Sequence, residues 1–287
     1  MNGVLNHALL VGLLLLGTLC AGAQEVITVT SAEELFANIG PDRTIQIRSG
    51  TYLLTGLAQT QQDSKYCRFI DSHDGPELII SNVENLKLIG LGKMPLLMVS
   101  PKYADVLEFQ DCKNITIENI RAGHGPEKGY CTGGVLAFDN CKSITINKCS
   151  LYGCGTQGIG MYESTGLVCT ETVIEECSYH IMSLMGSRNV EFTDCEFRNN
   201  REFDMVQLLE SHKVRFVRCN FLNNTSDGDS WTEYALFRTR NATDITATNC
   251  SFEGNEMDVL VGGGSTVEIE ATQKEKNNIY RKADAVD

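Results

Sequence analysis

The chain is poor in proline, in positive charge and in long apolar runs, and each shortage narrows its class. It has only 5 prolines among 287 residues, which excludes collagen-like and proline-rich low-complexity chains. It has 24 Lys and Arg against 37 Asp and Glu, and the resulting net charge of −13 argues against nucleic acid as a partner. The same charge disfavours a polyuronate ligand unless a divalent cation bridges the two anions.

The apolar run at residues 8–19 is too short to cross a bilayer as a helix. An A-x-A cleavage site follows at residues 21–23, so residues 1–23 are predicted to be a signal peptide. We therefore expect secretion to the periplasm or the extracellular space, with a lipid anchor through Cys20 as the alternative. No later run is long enough to span, so we expect no membrane span.

A repeat with a period near 23 residues runs through most of the chain. Its leading apolar residues follow one another at steps of 23, 23, 24 and 31 residues: Ile144, Leu167, Val190, Val214 and Ile245. Within each repeat, apolar residues alternate, a one-residue break follows, and the alternation resumes. Period-two alternation predicts two short strands joined by a bend, and a third apolar pair lies upstream in each repeat.

Such a repeat cannot bury its apolar side alone, so we expect neighbouring repeats to stack. The predicted fold class is all-β, a single-domain right-handed parallel β-helix over residues 43–270. Residues 24–42 are predicted to form an N-terminal cap, in which Ser31 and Glu34 are typical of a capping box that starts a short helix. Residues 271–287 form a charged C-terminal tail that either folds over the last coil or frays.

Most of the cysteines fall into columns of this repeat. The three predicted columns are Cys149, Thr172, Cys195, Cys219 and Cys250; Cys131, Cys154 and Cys177; and Cys112, Cys141, Ser164, Ser187 and Ser211. Small side chains suit an inward ladder at a tight bend, which favours buried free thiols over disulfides. No spacing of Cys or His indicates a metal site.

Polar and aromatic turn residues gather on one predicted edge of the solenoid. The predicted ligand-binding residues are Glu127, Tyr130, Tyr179, Trp231 and Glu233, and the weak catalytic candidates are His124, His180, Arg201 and Asp204. Carbohydrate sites combine aromatic platforms with carboxylates, and this edge contains both. The alternative interpretation is an ordinary row of polar turns. Asp227 and Asp229 could hold calcium, and we expect no other cofactor or metal.

The stretch DRTIQIRSGTYLL and the repeated starts NITI and SITI resemble secreted bacterial right-handed parallel β-helix proteins. The stretch from Gly123 to Ile159 resembles an uncharacterised branch of that pectate-lyase-like superfamily. The resemblance covers residues 26–270 and implies the fold. Activity stays open, because the superfamily includes pectate lyases, polygalacturonases, epimerases and non-enzymatic surface proteins. Gly123-His124-Gly125 matches the polygalacturonase G-H-G signature, but the accompanying aspartates and R-x-K element are missing.

Two hypotheses about function remain. The first is a secreted, non-catalytic β-helix that binds a polysaccharide or cell-surface glycan through turn insertions on the predicted edge. The second is a polysaccharide lyase, hydrolase or epimerase with a non-standard active site. They differ in geometry, since catalysis requires His124, His180, Arg201 and Asp204 to converge on one substrate position.

Overall fold

The computed structural model describes residues 24–125, 133–153, 155–227 and 232–282. Short strands pair in parallel with the corresponding strands one coil before and one coil after, and they form three long sheets and one short one. Along the chain each coil visits sheet A, then sheet B, then sheet C, and sheet D lies between B and C in the last coils. The strands are numbered β1–β32 in chain order.

Sheet A is the ten-stranded sheet. Its strands are β1 Glu25–Val29, β2 Arg43–Ile47, β6 Glu84–Gly90, β9 Lys113–Glu118, β12 Lys142–Asn147, β15 Thr165–Thr170, β18 Arg188–Thr193, β22 His212–Val217, β26 Thr243–Thr248 and β30 Glu268–Glu270. Sheet B has nine strands. They are β3 Thr51–Leu53, β7 Leu96–Val99, β10 Arg121–His124, β13 Ser150–Tyr152, β16 Val173–Glu175, β19 Glu196–Arg198, β23 Asn220–Leu222, β27 Ser251–Glu253 and β31 Lys274–Lys276.

Sheet C also has nine strands and carries the candidate functional site. They are β4 Cys67–Asp71, β5 Pro76–Ser81, β8 Leu107–Gln110, β11 Leu136–Asp139, β14 Gln157–Tyr162, β17 His180–Met185, β21 Val206–Leu209, β25 Ala235–Arg240 and β29 Val259–Gly263. The four strands of sheet D are β20 Arg201–Glu202, β24 Thr225–Ser226, β28 Glu256–Met257 and β32 Ile279–Tyr280. Two short helices, α1 Ala32–Asn38 and α2 Leu57–Thr60, precede the regular coils.

The predicted stacking of the leading apolar residues is confirmed. Ile144 pairs with Leu167, which pairs with Val190, and the row continues through Val214 to Ile245. All five side chains are buried, and aromatic side chains add to the same core, as where the rings of Phe192 and Phe216 stack at 5.2 Å. The fold is therefore the predicted all-β parallel β-helix.

A left-handed residue precedes each leading apolar position of sheet A. Asn114, Ser143, Asn189 and Lys213 have φ between 55° and 59°, and the parallel register skips each of them. Asn and Gly reach this conformation most easily, which explains the asparagine at the start of NITI. The left-handed residue turns the following, leading side chain inward.

Two of the predicted cysteine columns, those of Cys141 and Cys149, run along the solenoid as hydrogen-bonded ladders. The third column, that of Cys177, continues with asparagines, which the sequence analysis did not predict. Cys141 N–H donates to Ser164 Oγ at 2.8 Å, and Cys149 N–H donates to Thr172 Oγ1 at 3.2 Å. Cys177 heads a column of buried amides, which continues through Asn200, Asn224, Asn255 and Asn278. Nine cysteines of the described ranges are free and buried, whereas Cys131 and Cys154 lie outside those ranges.

The two ends differ from the predicted boundaries. The cap contains the predicted helix, where Ser31 Oγ accepts from Glu34 N–H at 3.1 Å, but strand β1 precedes it and pairs with β2. The antiparallel β4–β5 hairpin, which the sequence did not indicate, closes one edge of sheet C. Within the tail, β31 and β32 pair with β27 and β28 of the preceding coil, so residues 274–280 belong to the solenoid.

Candidate functional site

The outer surface of sheet C holds a continuous row of side chains, one per coil. Parallel pairing places these residues in register across six strands: Glu108, Ala137, Gly160, Ser183, Gln207 and Arg238. With strands spaced about 4.8 Å apart, the row extends roughly 24 Å. We call this surface the sheet C face. Its middle three residues are small, while an acidic cluster lies at one end and an aromatic pocket at the other.

The small middle of the face is partly covered by its own neighbours. A Cβ atom at Gly160 would lie 2.8 Å from Gln157 Nε2 and 3.3 Å from the Tyr162 hydroxyl. Gln157 Nε2 donates to that hydroxyl at 3.0 Å, so the two side chains meet above the glycine. Glycine at position 160 therefore leaves room for these two side chains, and the amide and the phenol are positioned as polar groups on the face.

Three carboxyl groups from two coils form the acidic cluster. Glu77 lies on β5, Asp105 precedes β8, and Glu108 lies on β8; one carboxylate oxygen from each lies within 4.8 Å of the others. Backbone amides hold two of them, since Asp105 N–H donates to Glu77 Oε1 at 3.0 Å and Gly134 N–H donates to Asp105 Oδ1. An all-carboxylate set of this size has the hard oxygen ligands that calcium takes, so these residues could also hold a cation.

Burial changes the protonation of this cluster. Loss of hydration, followed by repulsion from Asp105, raises the pKa of Glu77 to about 8. Loss of hydration also raises the pKa of Asp105 to about 6, against a hydrogen bond from Gly134 that lowers it. Burial therefore favours the protonated form of both carboxyls, and that of Glu77 more strongly. Neighbouring carboxyls whose pKa values are raised towards neutrality can act as an acid/base pair.

The aromatic pocket is an open cavity of about 280 Å³, lined by Tyr179, His180, Phe203, Asp204, Gln207 and Tyr234. The Phe203 ring is central, with the Tyr179 ring at 4.6 Å and 89° and the Tyr234 ring at 5.4 Å and 82°. Edge-to-face packing of this kind fixes ring orientation, and the Tyr179 and Phe203 side chains remain partly exposed at the pocket. Three successive coils thus contribute one aromatic side chain each.

An ion-pair network fixes the floor of the pocket. Asp204 Oδ1 accepts from Arg238 Nε at 3.0 Å and from Ala235 N–H at 2.7 Å. Arg238 Nη1 lies 3.3 Å from Glu233 Oε1, so two carboxylates share one guanidinium. A Cβ atom at Gly262, the parallel partner of Arg238, would lie 2.6 Å from Arg238 Nη1. Glycine at position 262 therefore lets the guanidinium lie across the next strand.

His180 contributes a neutral ring to the pocket. Its Nδ1 faces the Asp204 carbonyl oxygen and must donate, which leaves Nε2 as an acceptor. Burial lowers the pKa of His180, and this effect exceeds the contributions of the Asp204 carbonyl and carboxylate, which raise it. The ring therefore offers a hydroxyl-accepting nitrogen rather than a positive charge.

The structure brings together some of the predicted site residues and separates others. Tyr179, His180 and Asp204 line one pocket, and Glu233 joins them through Arg238. Arg201 lies exposed on β20 of sheet D and is not part of the pocket lining.

His124 lies on β10 of sheet B and is buried, with Nε2 donating to the Ala104 carbonyl at 2.8 Å. The four catalytic candidates therefore do not converge. Glu127, Tyr130, Asp229 and Trp231 lie outside the described residues. For Asp227, the other calcium candidate, the backbone N–H donates to the Glu202 carbonyl at 3.0 Å.

Sequence reasoning missed the acidic cluster and Arg238, although a usable signal exists. The outward residues Ala137, Gly160 and Ser183 follow from period-two alternation. Continuing that row by one coil upstream gives Glu108, and by two coils downstream gives Arg238. Glu77 and Asp105 lie just outside the alternating segments, where the sequence pattern does not predict which residues of neighbouring coils lie side by side.

Comparison with solved structures gives a consistent fold. An alginate lyase from Paenibacillus sp. str. FPU-7 has a TM-score of 0.55 at 10% identity, over 88% of this chain and 96% of that chain. A pectate lyase from Paenibacillus sp. 0602 has a TM-score of 0.60 at 8% identity, over 88% and 78%. A pectin methylesterase from Aspergillus niger has a TM-score of 0.54 at 15% identity, over 93% and 89%. At such identities the likeness establishes the fold and not the activity.

No curated protein sequence matches this chain. Neither helix of the described ranges has the length and apolar character of a membrane-spanning segment. The family model described as the right handed beta helix region matches residues 104–203 and 133–285, which together cover more than half of the chain. The predicted right-handedness is confirmed by that match, and the chain belongs to the right-handed β-helix family.

Proposed function

We propose that this protein binds a polysaccharide or cell-surface glycan along the sheet C face, with the aromatic pocket as its main contact. The observation that carries the proposal is the triplet Tyr179, Phe203 and Tyr234, which adjoins a row of small side chains. Aromatic faces cover the apolar faces of sugars, and Gln207, Asp204 and His180 supply polar atoms for hydroxyl groups. A linear glycan would lie across the strands, one coil after another.

The proposal is tested first with a glycan array and then by affinity measurement on any ligand found. Tyr179→Ala should weaken binding at least tenfold, because it removes one ring face and the ring that packs against Phe203. The matched control is Tyr152→Ala on sheet B, where the ring lies under Arg121 away from the pocket. Equal affinity of the two variants would count against the pocket. Trp231→Ala extends the test to a residue outside the described ranges.

The acidic cluster favours a second candidate function, a polysaccharide lyase, hydrolase or epimerase. The acid/base pair Glu77 and Asp105, together with the adjoining Glu108, replaces His124 and Arg201 as the group on which such an activity would depend. Products of the bound glycan should then show new reducing ends, an unsaturated sugar or an inverted carbon. Glu108→Gln should abolish turnover and keep binding within about threefold, because the pocket is untouched. Binding without any product would select the non-catalytic function.

We also propose that the protein acts outside the cell. The support is the predicted signal peptide and the sheet C face itself, which suits a polymeric ligand. Expression in a secreting host followed by N-terminal sequencing should give a chain starting at Gln24. A lipid-modified N-terminal Cys20 would instead identify a membrane anchor.

A further inference from the structure

The charges on the sheet C face bear on which glycan it takes, and this question rests on the proposed function. A polyuronate carries a carboxylate on every sugar. A site for it therefore needs free cationic side chains or a bridging divalent cation. The positions of the cationic side chains on the described part of the face therefore bear on its ligand.

Along the described face, the cationic side chains lie at its ends rather than in its middle. Arg238, the cation of the central row, is held between Asp204 and Glu233. Arg68 Nη2 donates to Gln110 Oε1 at 2.5 Å, at the acidic end. Arg240 ends β25 and is exposed at the far rim, next to Leu209. Along the middle of the described face, no cation remains for a carboxylate.

Anions, in contrast, line the same face. Besides Asp105 and Glu108, a second outward row carries Asp139, which pairs with Gln110 and Tyr162 on the neighbouring strands. Burial raises the pKa of Asp139, and repulsion from Asp111 and Glu163 raises it further. A carboxylate that already feels two negative neighbours marks a region of negative potential. A polymer of uronates would meet that potential at every sugar.

The remaining polar side chains of the face are neutral. They are the Nε2 atom of His180, the amides of Gln157 and Gln207, and the hydroxyls of Ser183 and Tyr162. These are hydrogen-bonding partners for sugar hydroxyls. We propose that, in the absence of a bridging divalent cation, the sheet C face selects an uncharged polysaccharide over polyuronates.

Two glycan sets test the selectivity on the full chain. The neutral set contains hexamers of glucose, mannose, xylose and galactose, and the anionic set contains hexamers of galacturonate, mannuronate and guluronate. Each is measured by calorimetry once with EDTA and once with calcium. With EDTA we expect at least one neutral hexamer to bind tenfold or more tighter than every uronate. A gain in uronate affinity on adding calcium would support the inference, because a bridging cation then offsets the charge of the face. A uronate that binds best with EDTA would overturn the inference and leave glycan binding intact. Binding of no glycan would overturn both proposals.

A matched pair isolates charge from sugar shape. Hexagalacturonate and its fully methyl-esterified form share a backbone, so we expect the ester to bind at least tenfold more tightly at low salt. Asp139→Asn should narrow this gap severalfold, whereas Glu118→Gln, at the end of β9 on sheet A, should leave it unchanged. An unchanged gap in Asp139→Asn, or equal affinity for acid and ester, would show that the charge of the face does not select the ligand.

Discussion

Two corners of the coil are equally buried but are held together by different interactions. The corner between sheets A and B stacks thiols, and each sulfur lies against a carbonyl of the coil before, as Cys219 Sγ does at 3.4 Å from the Phe192 carbonyl. The corner after sheet B stacks amides. Asn224 Nδ2 donates to the Phe197 carbonyl at 3.0 Å and to Asn255 Oδ1 at 2.9 Å. The first corner depends on packing and the second on satisfied polar groups, so the second tolerates substitution less.

The largest expected effect is at the amide corner. Asn224→Ala removes two donated bonds and the oxygen that accepts from Asn200 N–H and Nδ2, which leaves buried groups unsatisfied. We expect a loss of about 3 kcal/mol or more in the free energy of unfolding, measured by urea titration. The control is Asn223→Gly, because Asn223 is exposed with φ of 53° and glycine keeps that conformation. Similar losses in both variants would mean that the ladder is not the cause.

The acidic cluster provides a pH-dependent contrast to the neutral amide ladder. The pKa of Glu77 rises from 4.5 to about 8 on folding, so its contribution is fully present below pH 4.5 and is lost as pH rises towards 8. Glu77→Gln cannot ionise, so its Tm should fall less between pH 5 and pH 8 than that of the wild type, by several degrees. Parallel profiles for the two proteins would show that Glu77 is ionised in the folded state. Asn224→Ala should leave the shape of the profile unchanged.

A smaller effect is expected at the thiol corner. Cys219→Ser keeps the size of the side chain and places a hydroxyl beside the Phe192 carbonyl. Two coils earlier in the same column, Thr172 already carries a hydroxyl, which donates to the Thr170 carbonyl. The loss in unfolding free energy should be about 1 kcal/mol or less. A loss as large as that of Asn224→Ala would remove the distinction between the corners.

The smallest expected signal is the reactivity of the thiols in the native protein. Burial raises the pKa of Cys149 and that of Cys67 to about 12, and protonated, buried thiols react slowly. Alkylation without reductant, read by mass spectrometry, should label almost none of the cysteines before unfolding and most of them after. A thiol count near zero after unfolding would indicate disulfides and contradict the packing interpretation.

The coil itself could be predicted because its signal is local and repeated. The leading apolar residues and the hydroxyl column that contains Cys141 and Ser164 lie where the spacing put them. The amide column was not predicted, and Asn223 with Asn224 shows why. Two identical neighbours differ completely, since one adopts positive φ at the surface and the other is buried in the ladder. Asparagine suits both roles, so composition alone cannot separate them.

The candidate site was predictable only in part. Tyr179, His180 and Asp204 lie at similar places in consecutive repeats, so their proximity follows from the period. His124 lies at the end of a sheet B strand, and the residues after it belong to an insertion whose length breaks the repeat. Across such an insertion, the spacing of the repeat no longer predicts which sheet a residue belongs to. His124 is in fact buried on sheet B.

The sequence by itself determined the stacked coils, the inward rows and the outward row of small residues, because period-two alternation decides which face a side chain occupies. Only the tertiary structure decided that the Asp105 N–H donates to Glu77 Oε1 at 3.0 Å, although the two residues lie 28 positions apart. It also decided that Arg238 is shared by two carboxylates. Those contacts form across coils and at the ends of strands. The lengths of the turns and the stacking of the backbones determine these contacts, and neither produces a periodic pattern in the amino-acid sequence.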